Sequence, residues 1–307
     1  MAATPPASTQ AAVLDPRDLA RIEGLELLAS RVVDGLLSGR HRSLLKGGSA
    51  EFTEHRGYVP GDEIRLIDWK VFGKSDRYFI KQYIERTCLQ VVVVVDASGS
   101  MAFAGKSPAK FHYGRSVAAC LTRLVLRQSD AAGLALVGPT LKDYIPPRSN
   151  PRHFQAILQR LTAAVPGGEG ALAASLIELS RRIRRRGLIV LITDGFEEIG
   201  PLRQSLQFLR GRGHEVILLH TMAPEELNFD IGGWSRFECL EVEGRRLNLD
   251  PALVRKEYLE AVRQFLSDLR RACGETGCDY HPMPTDRPIG EALTYYLTRR
   301  SARLKQT

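Results

Sequence analysis

Five consecutive valines, Val91 to Val95, run directly into Asp96. The run has no apolar–polar alternation, so neither face of the strand it forms meets water. A strand buried on both faces is the signature of a parallel sheet covered by helices. The chain after Asp96 bears this out in pattern: apolar segments at 133–137, 141–145, 188–193, 215–221 and 278–283 alternate with helical periodicity at 110–127, 153–161, 171–185, 201–212, 251–274 and 288–300. Strands alternating with helices predict a doubly wound, mainly parallel α/β sheet from about residue 86 to 302. A hairpin is expected near 236–249, turning at Glu243-Gly244.

Ahead of that unit the pattern differs. Residues 14–46 carry Leu19, Ile22, Leu25, Leu28, Val32 and Leu36 at helix spacing, and 47–77 carry glycines, a Pro-Gly pair and little periodicity, reading as loops and short strands. The expected organisation is a disordered tail over 1–13, an N-terminal segment over 14–85 packed on the main unit, and the α/β unit over 86–302. The first residues lack the basic and apolar regions of a signal peptide. No apolar run reaches the length that crosses a bilayer.

The net charge of +8 raises nucleic acid as a partner. The basic residues are scattered, however, and the densest cluster, RRIRRRG at 181–187, ends a helical pattern where cations meet the helix dipole favourably and no aromatics interleave. It reads as a solvated helix end. Five cysteines form no CxxC pair, which fits a reducing cytoplasm.

In a doubly wound sheet, ligands bind beyond the carboxyl ends of the strands at the switch point. The valine run therefore delivers Asp96, Ser98 and Ser100 to the site position. Alternate spacing on an extended turn converges three short oxygen side chains. Carboxylate and hydroxyl oxygens suit a hard cation such as Mg2+, which keeps several waters. Asp194 follows the apolar strand 188–193 in the same setting and supplies a second carboxylate. A purely structural alternative is a turn in which Asp96 and Ser98 satisfy backbone donors. An enzymatic alternative makes Asp96 the nucleophile of a phosphohydrolase, but Ser98 stands where such enzymes carry their second aspartate. No GxSxG, GxxxxGK[ST] or HExxH motif occurs.

The Asp-x-Ser-x-Ser-Met turn with a later strand ending in Thr-Asp-Gly resembles the von Willebrand factor A-type domain and its metal-ion-dependent adhesion site. That resemblance implies direct cation ligation by Ser98 and Ser100, with Asp96 and Asp194 acting mainly through water. The family's fifth ligand is a threonine; the corresponding stretch, GGEGALAASL, has Glu169 there. The flanking glycines give this loop the freedom to bring Glu169 inward as a ligand that occupies a partner's place; the other outcome leaves Glu169 in solvent. The segment 50–86 is similar to the signature of the family known as domain of unknown function 58: Phe52, Glu54, Arg56, Tyr58, Gly61, Asp62, Arg65, Ile67, Asp68, Trp69 and Lys70 match. This second resemblance implies a non-catalytic adaptor or co-chaperone working with a MoxR-type AAA+ ATPase on a client protein. The interleaved charges of 50–70 read as mutual ion pairs pinning a loop, and His55 as a hydrogen-bonded surface residue.

Overall fold

The computed structural model describes residues 16–38, 51–59, 67–75, 77–84, 88–231, 233–242 and 244–304. Their strands are β1 (Glu51–Gly57), β2 (Phe79–Ile84), β3 (Gln90–Asp96), β4 (Ala131–Val137), β5 (Leu141–Arg148), β6 (Leu188–Thr193), β7 (Glu215–Met222), β8 (Ser235–Glu238), β9 (Arg246–Leu249) and β10 (Asp279–Pro284). Six of them form one sheet in the order β10-β7-β6-β3-β4-β5. All neighbours run parallel except β4 and β5, which are antiparallel. The expected doubly wound α/β sheet is therefore present. The chain builds outward from β3 through β4 to β5, then returns to lay β6 on the other side of β3. The switch point thus falls between β3 and β6.

The valine run is sorted by parity. Val91, Val93 and Val95 pack into one helical layer, made by α1 (Pro16–Ser38), α3 (Lys110–Arg127), α4 (Pro151–Ala163) and α9 (Ile289–Leu304). Val92 and Val94 pack into the opposite layer, made by α5 (Leu172–Arg182), α6 (Ile199–Gly211) and α8 (Pro251–Glu275). Successive side chains of a strand point to opposite faces, so an unbroken apolar run is what a two-layer cover requires.

Helix α1 meets the first layer through Leu25, Ala29 and Val33, spaced one turn apart. Of the expected stripe, Leu25 is in that contact. Val32 is partly buried and packs beside it, while Leu28 is exposed and Ala29 and Val33 take the buried positions of the next turns. Small Ala29, fully buried, lets the helix axes approach where a leucine would hold them apart. The part of the expected helix beyond 38 lies outside the described residues.

Two short helices went unread in the sequence. Helix α2 (Trp69–Ser75) starts just after Asp68, whose carboxylate accepts the Val71 N–H at 3.4 Å. Helix α7 (Pro224–Asn228) is a single turn with proline at its start and Glu225 and Glu226 behind it, a recognisable helix opening. Strands β1 and β2 pair antiparallel, with His55 opposite Lys81. Residues 50 and 60–66 of the charged segment 50–70 lie outside the described residues, and with them Asp62, Glu63 and Arg65 of the expected ion pairs. Strands β8 and β9 form the expected hairpin, pairing Ser235 with Leu249. Both outer strands of the main sheet contain prolines, Pro146 and Pro147 in β5 and Pro282 and Pro284 in β10. Proline cannot donate to a ladder and is confined to such positions.

Leu191, in the middle of β6, is fully buried, whereas Leu253 near the start of α8 is 77% exposed. Leu191→Ala is expected to cost about 2–5 kcal/mol in a chemical denaturation experiment. Leu253→Ala should stay within about 0.5 kcal/mol.

Candidate functional site

Strands β3 and β6 end side by side, with Val95 opposite Ile192. Asp96 is almost fully buried and both its oxygens are engaged. The Ser98 N–H donates to Oδ1 at 2.9 Å, and the Thr193 hydroxyl donates to Oδ2 at 2.6 Å. Thr193 Oγ1 in turn accepts the Gly195 N–H at 2.8 Å. One carboxylate thus fixes the turn after β3 and the turn after β6 relative to each other. Burial, and next the nearby charge of Asp194, push the Asp96 carboxyl up to about 6 against these hydrogen bonds.

The turn places the Ser98 and Ser100 hydroxyls 3.1 Å apart, hydrogen-bonded to each other. Ser98 is buried; Ser100 opens a short 3-10 turn and is partly accessible. The loop before α5 packs beside them: the Gly99 N–H donates to the Gly168 carbonyl at 2.8 Å, and the Gly167 N–H to the Ala97 carbonyl at 3.0 Å. Gly168 needs its lack of a side chain, with φ +82°. The Ala171 N–H is held by the Gly138 carbonyl at 3.0 Å. Pinned on both sides, this loop turns Glu169 outward, where it is exposed. The expectation that glycine freedom would bring Glu169 inward is not met, because backbone hydrogen bonds remove that freedom.

The inward position belongs to Glu241, at the tip of the β8–β9 hairpin, which sequence reasoning missed. Its carboxyl lies against the hydroxyl and backbone N–H of Ser100. Burial raises its pKa, Asp194 and Glu169 add to the rise, and the Ser100 contacts oppose it.

Asp194 is held otherwise. The Phe196 N–H donates to its Oδ1 at 3.1 Å, and Lys110 Nζ donates to its Oδ2 at 2.7 Å. Lys110 also reaches Glu226 Oε1 in α7 at 2.5 Å. Lys110 and Asp194 are each only 2% exposed. Burial would lower the lysine's pKa, but the two carboxylates outweigh it and hold it above the usual value. Lys110 also escaped sequence reasoning, although it falls in the helical register of Tyr113 and Val117, on the buried face of α3. A lysine in the first turn of a helix opposes the dipole, and that conflict was the available signal.

Behind Asp194, His220 of β7 donates through Nε2 to the Asp194 carbonyl at 2.7 Å, since a carbonyl only accepts. Its Nδ1 therefore accepts from the Tyr280 hydroxyl at 2.8 Å, tying β7 to β10. Burial lowers the His220 pKa to about 4, so the ring is neutral.

Residues 54–266 match the family described as protein of unknown function DUF58. The chain belongs to the DUF58 family. It is 28% identical over 305 residues to the uncharacterized protein Rv1480 of Mycobacterium tuberculosis, covering 98% of this chain and 95% of that one. The uncharacterized protein YeaD of Bacillus subtilis is 26% identical over 133 residues, 41% of this chain and 31% of that one. Among solved structures, an aerotolerance-related membrane protein from Bacteroides fragilis is similar in fold, with a TM-score of 0.50, 16% identity and coverage of 69% of this chain and 98% of that one.

The site of this DUF58 protein meets two requirements of a divalent cation. Octahedral Mg2+ binds oxygens at about 2.0–2.1 Å, which puts adjacent ligands about 3 Å apart; the serine hydroxyls have that spacing. Glu241 Oε1 is a buried oxygen with no hydrogen-bond donor among the described residues, on a carboxylate otherwise met by Ser100, and a cation facing it would offset that loss. No cluster of three or more His, Cys, Asp or Glu suited to a metal occurs among the described residues, so the donors would be mainly hydroxyls. Ser98 and Ser100 would hold the ion, with Asp96 and Asp194 behind them.

Removing the charge of Lys110 strands the buried Asp194 and the partly buried Glu226. Lys110→Met is expected to destabilise the fold by about 3–5 kcal/mol, and adding Asp194→Asn should recover part of that loss in the same urea melts.

A histidine near 6.5 when unfolded and near 4 when folded contributes stability that is present above pH 6.5 and lost as pH falls to about 4. Asp96, raised from 3.8 to about 6, contributes in the opposite sense, its share vanishing as pH rises through that window. The two nearly cancel in the wild type, so the difference from His220→Gln is the informative quantity. Between pH 7 and 4 the wild type should lose about 3 kcal/mol relative to the variant. A difference that does not change with pH would show that His220 takes up its proton in the fold.

Proposed function

We propose that this DUF58 protein is a non-catalytic protein-interaction module whose contact point is a Mg2+ ion held by Ser98 and Ser100, and that it acts with a MoxR-type AAA+ ATPase on a client protein. The observation that carries this reading is the pair of serine hydroxyls 3.1 Å apart at the switch point of the sheet. The bound cation would supply a Lewis-acidic position open to an outside carboxylate. The chain's own residues do the rest. Asp96 holds the turn, Thr193 locks it to β6, and Lys110 neutralises Asp194 so that the second aspartate does not overload the ion with negative charge.

Around this point stand exposed apolar side chains on the same loops: Val165, Phe196, Leu240 and Val242. Apolar surface around a polar centre suits a protein partner. The phosphohydrolase alternative needs an aspartate free to attack, and both Asp96 oxygens are engaged in a buried setting. A cytoplasmic location is part of the proposal; the five cysteines are all free thiols, which favours a reducing compartment. None of the described helices is long and apolar enough to cross a membrane.

The test is binding to an immobilised MoxR-type ATPase in Mg2+ and in EDTA, with the Ser98→Ala/Ser100→Ala double variant alongside. Affinity is expected to drop at least about ten-fold, or 1.4 kcal/mol, in EDTA and in the variant. Equal binding in all conditions removes the cation from the interface.

A further inference from the structure

We propose that the β8–β9 hairpin is a built-in competitor for the partner: its tip caps the Ser98–Ser100 cation site, with Glu241 as the carboxylate that a partner's acidic residue must displace. This rests on the cation-centred reading above and names what regulates it and what it recognises.

Three observations carry the inference. The first is contact. Gly99 lies between the two serines, and a Cβ there would be 2.1 Å from the Leu240 carbonyl oxygen and 3.0 Å from the Glu241 Cα. The hairpin tip is seated directly on the turn, in space that only a glycine leaves. The second is aim. A Cβ on Gly170 would lie 3.6 Å from Glu241 Oε1 and 3.8 Å from Ser98 Oγ, so both oxygens border one small space. That Oε1 is the buried oxygen without a donor.

The third is charge. The tip docks among acids: Asp194 and Glu169 act unfavourably on Glu241, and Glu241 acts unfavourably on Glu197. Like charges oppose the contact, and the Ser100 hydroxyl and N–H that meet the Glu241 carboxylate counter them only in part. Lys110 is already committed to Asp194 and Glu226, and the exposed Lys142 donates to the Ala97 and Gly167 carbonyls. A divalent ion at the serine pair is the counter-charge that makes the closed hairpin consistent.

The tip also states what an outside ligand looks like. Glu241 is flanked by Leu240 and Val242, both exposed. The partner class is therefore an acidic residue between aliphatic neighbours, presented on a turn or loop.

The experiment uses the full chain and Mn2+ as the probe, read by electron paramagnetic resonance and water-proton relaxation. Wild type, Glu241→Gln, Gly99→Ala and Ser98→Ala/Ser100→Ala are compared. Gly99 has an ordinary right-handed backbone, φ −61° and ψ −38°, so its alanine variant adds a wedge under Leu240 without backbone strain. Glu241→Gln is expected to weaken Mn2+ binding roughly ten-fold and to add one water to the bound ion. Both Glu241→Gln and Gly99→Ala should bind a synthetic peptide of residues 238–244 in the presence of Mn2+ at least ten-fold more tightly than wild type, and the same peptide with glutamine at 241 should not bind. Amide hydrogen exchange at 239–242 should slow on adding Mn2+ to wild type. If Mn2+ binds wild type and Glu241→Gln alike, with equal water and no gain in peptide binding, but is lost in the serine double variant, the hairpin proposal is overturned while the cation-centred function stands. If Mn2+ fails to bind, or binds the double variant unchanged, both are overturned.

Discussion

The Asp96 carboxylate is the constraint on which the rest of the site depends. It sits where five valines end, almost fully buried, and its two oxygens are met by donors from two different strand ends. A buried carboxylate that lost either donor would carry a large desolvation penalty. The geometry of both loops is therefore coupled: the serine turn cannot shift without disturbing Thr193, and Thr193 cannot shift without disturbing the Gly195 N–H that it accepts.

Charge is the second organising term. The carboxyl edge of the sheet gathers Asp96, Asp194, Glu226 and Glu241, and the fold answers with a lysine buried in the first turn of α3. That lysine is unfavourable for its own helix and for its own desolvation, and only the pair of acids around it reverses the balance. It links the residue after β6 to α7 through one ammonium group. Glu241 is the acid the lysine does not reach; Ser100 meets its carboxylate, and its Oε1 is left without a donor among the described residues.

The sheet and both aspartates were legible because each rests on a local pattern: an unbroken apolar strand followed by an oxygen-bearing turn. The valine run alone implied two covering layers, and parity sorts its residues into them. Other features were illegible for physical reasons. Lys110 reads as a surface residue because burial of an ammonium is unfavourable until its partners, 84 and 116 residues away, are known. Glu241 lies in a hairpin whose place over the serines is a matter of tertiary docking. Glu169 was judged by the flexibility of its glycine neighbours, while the decisive fact was a set of backbone hydrogen bonds to other loops. The face of α1 was legible at Leu25, but at the next turn the buried position is taken by small Ala29 rather than by the larger Leu28.

The prolines of the two outer strands carry a consequence for how this protein meets others. An outer strand with free backbone groups is a template on which a foreign strand, or another copy of the chain, extends the sheet. Pro146 and Pro147 on one side and Pro282 and Pro284 on the other interrupt that template. Lateral growth by backbone pairing is discouraged at both borders, which guards against fibre-like self-association. Recognition is thereby left to side chains and loops, and a partner read by its side-chain chemistry is one that can be let go again.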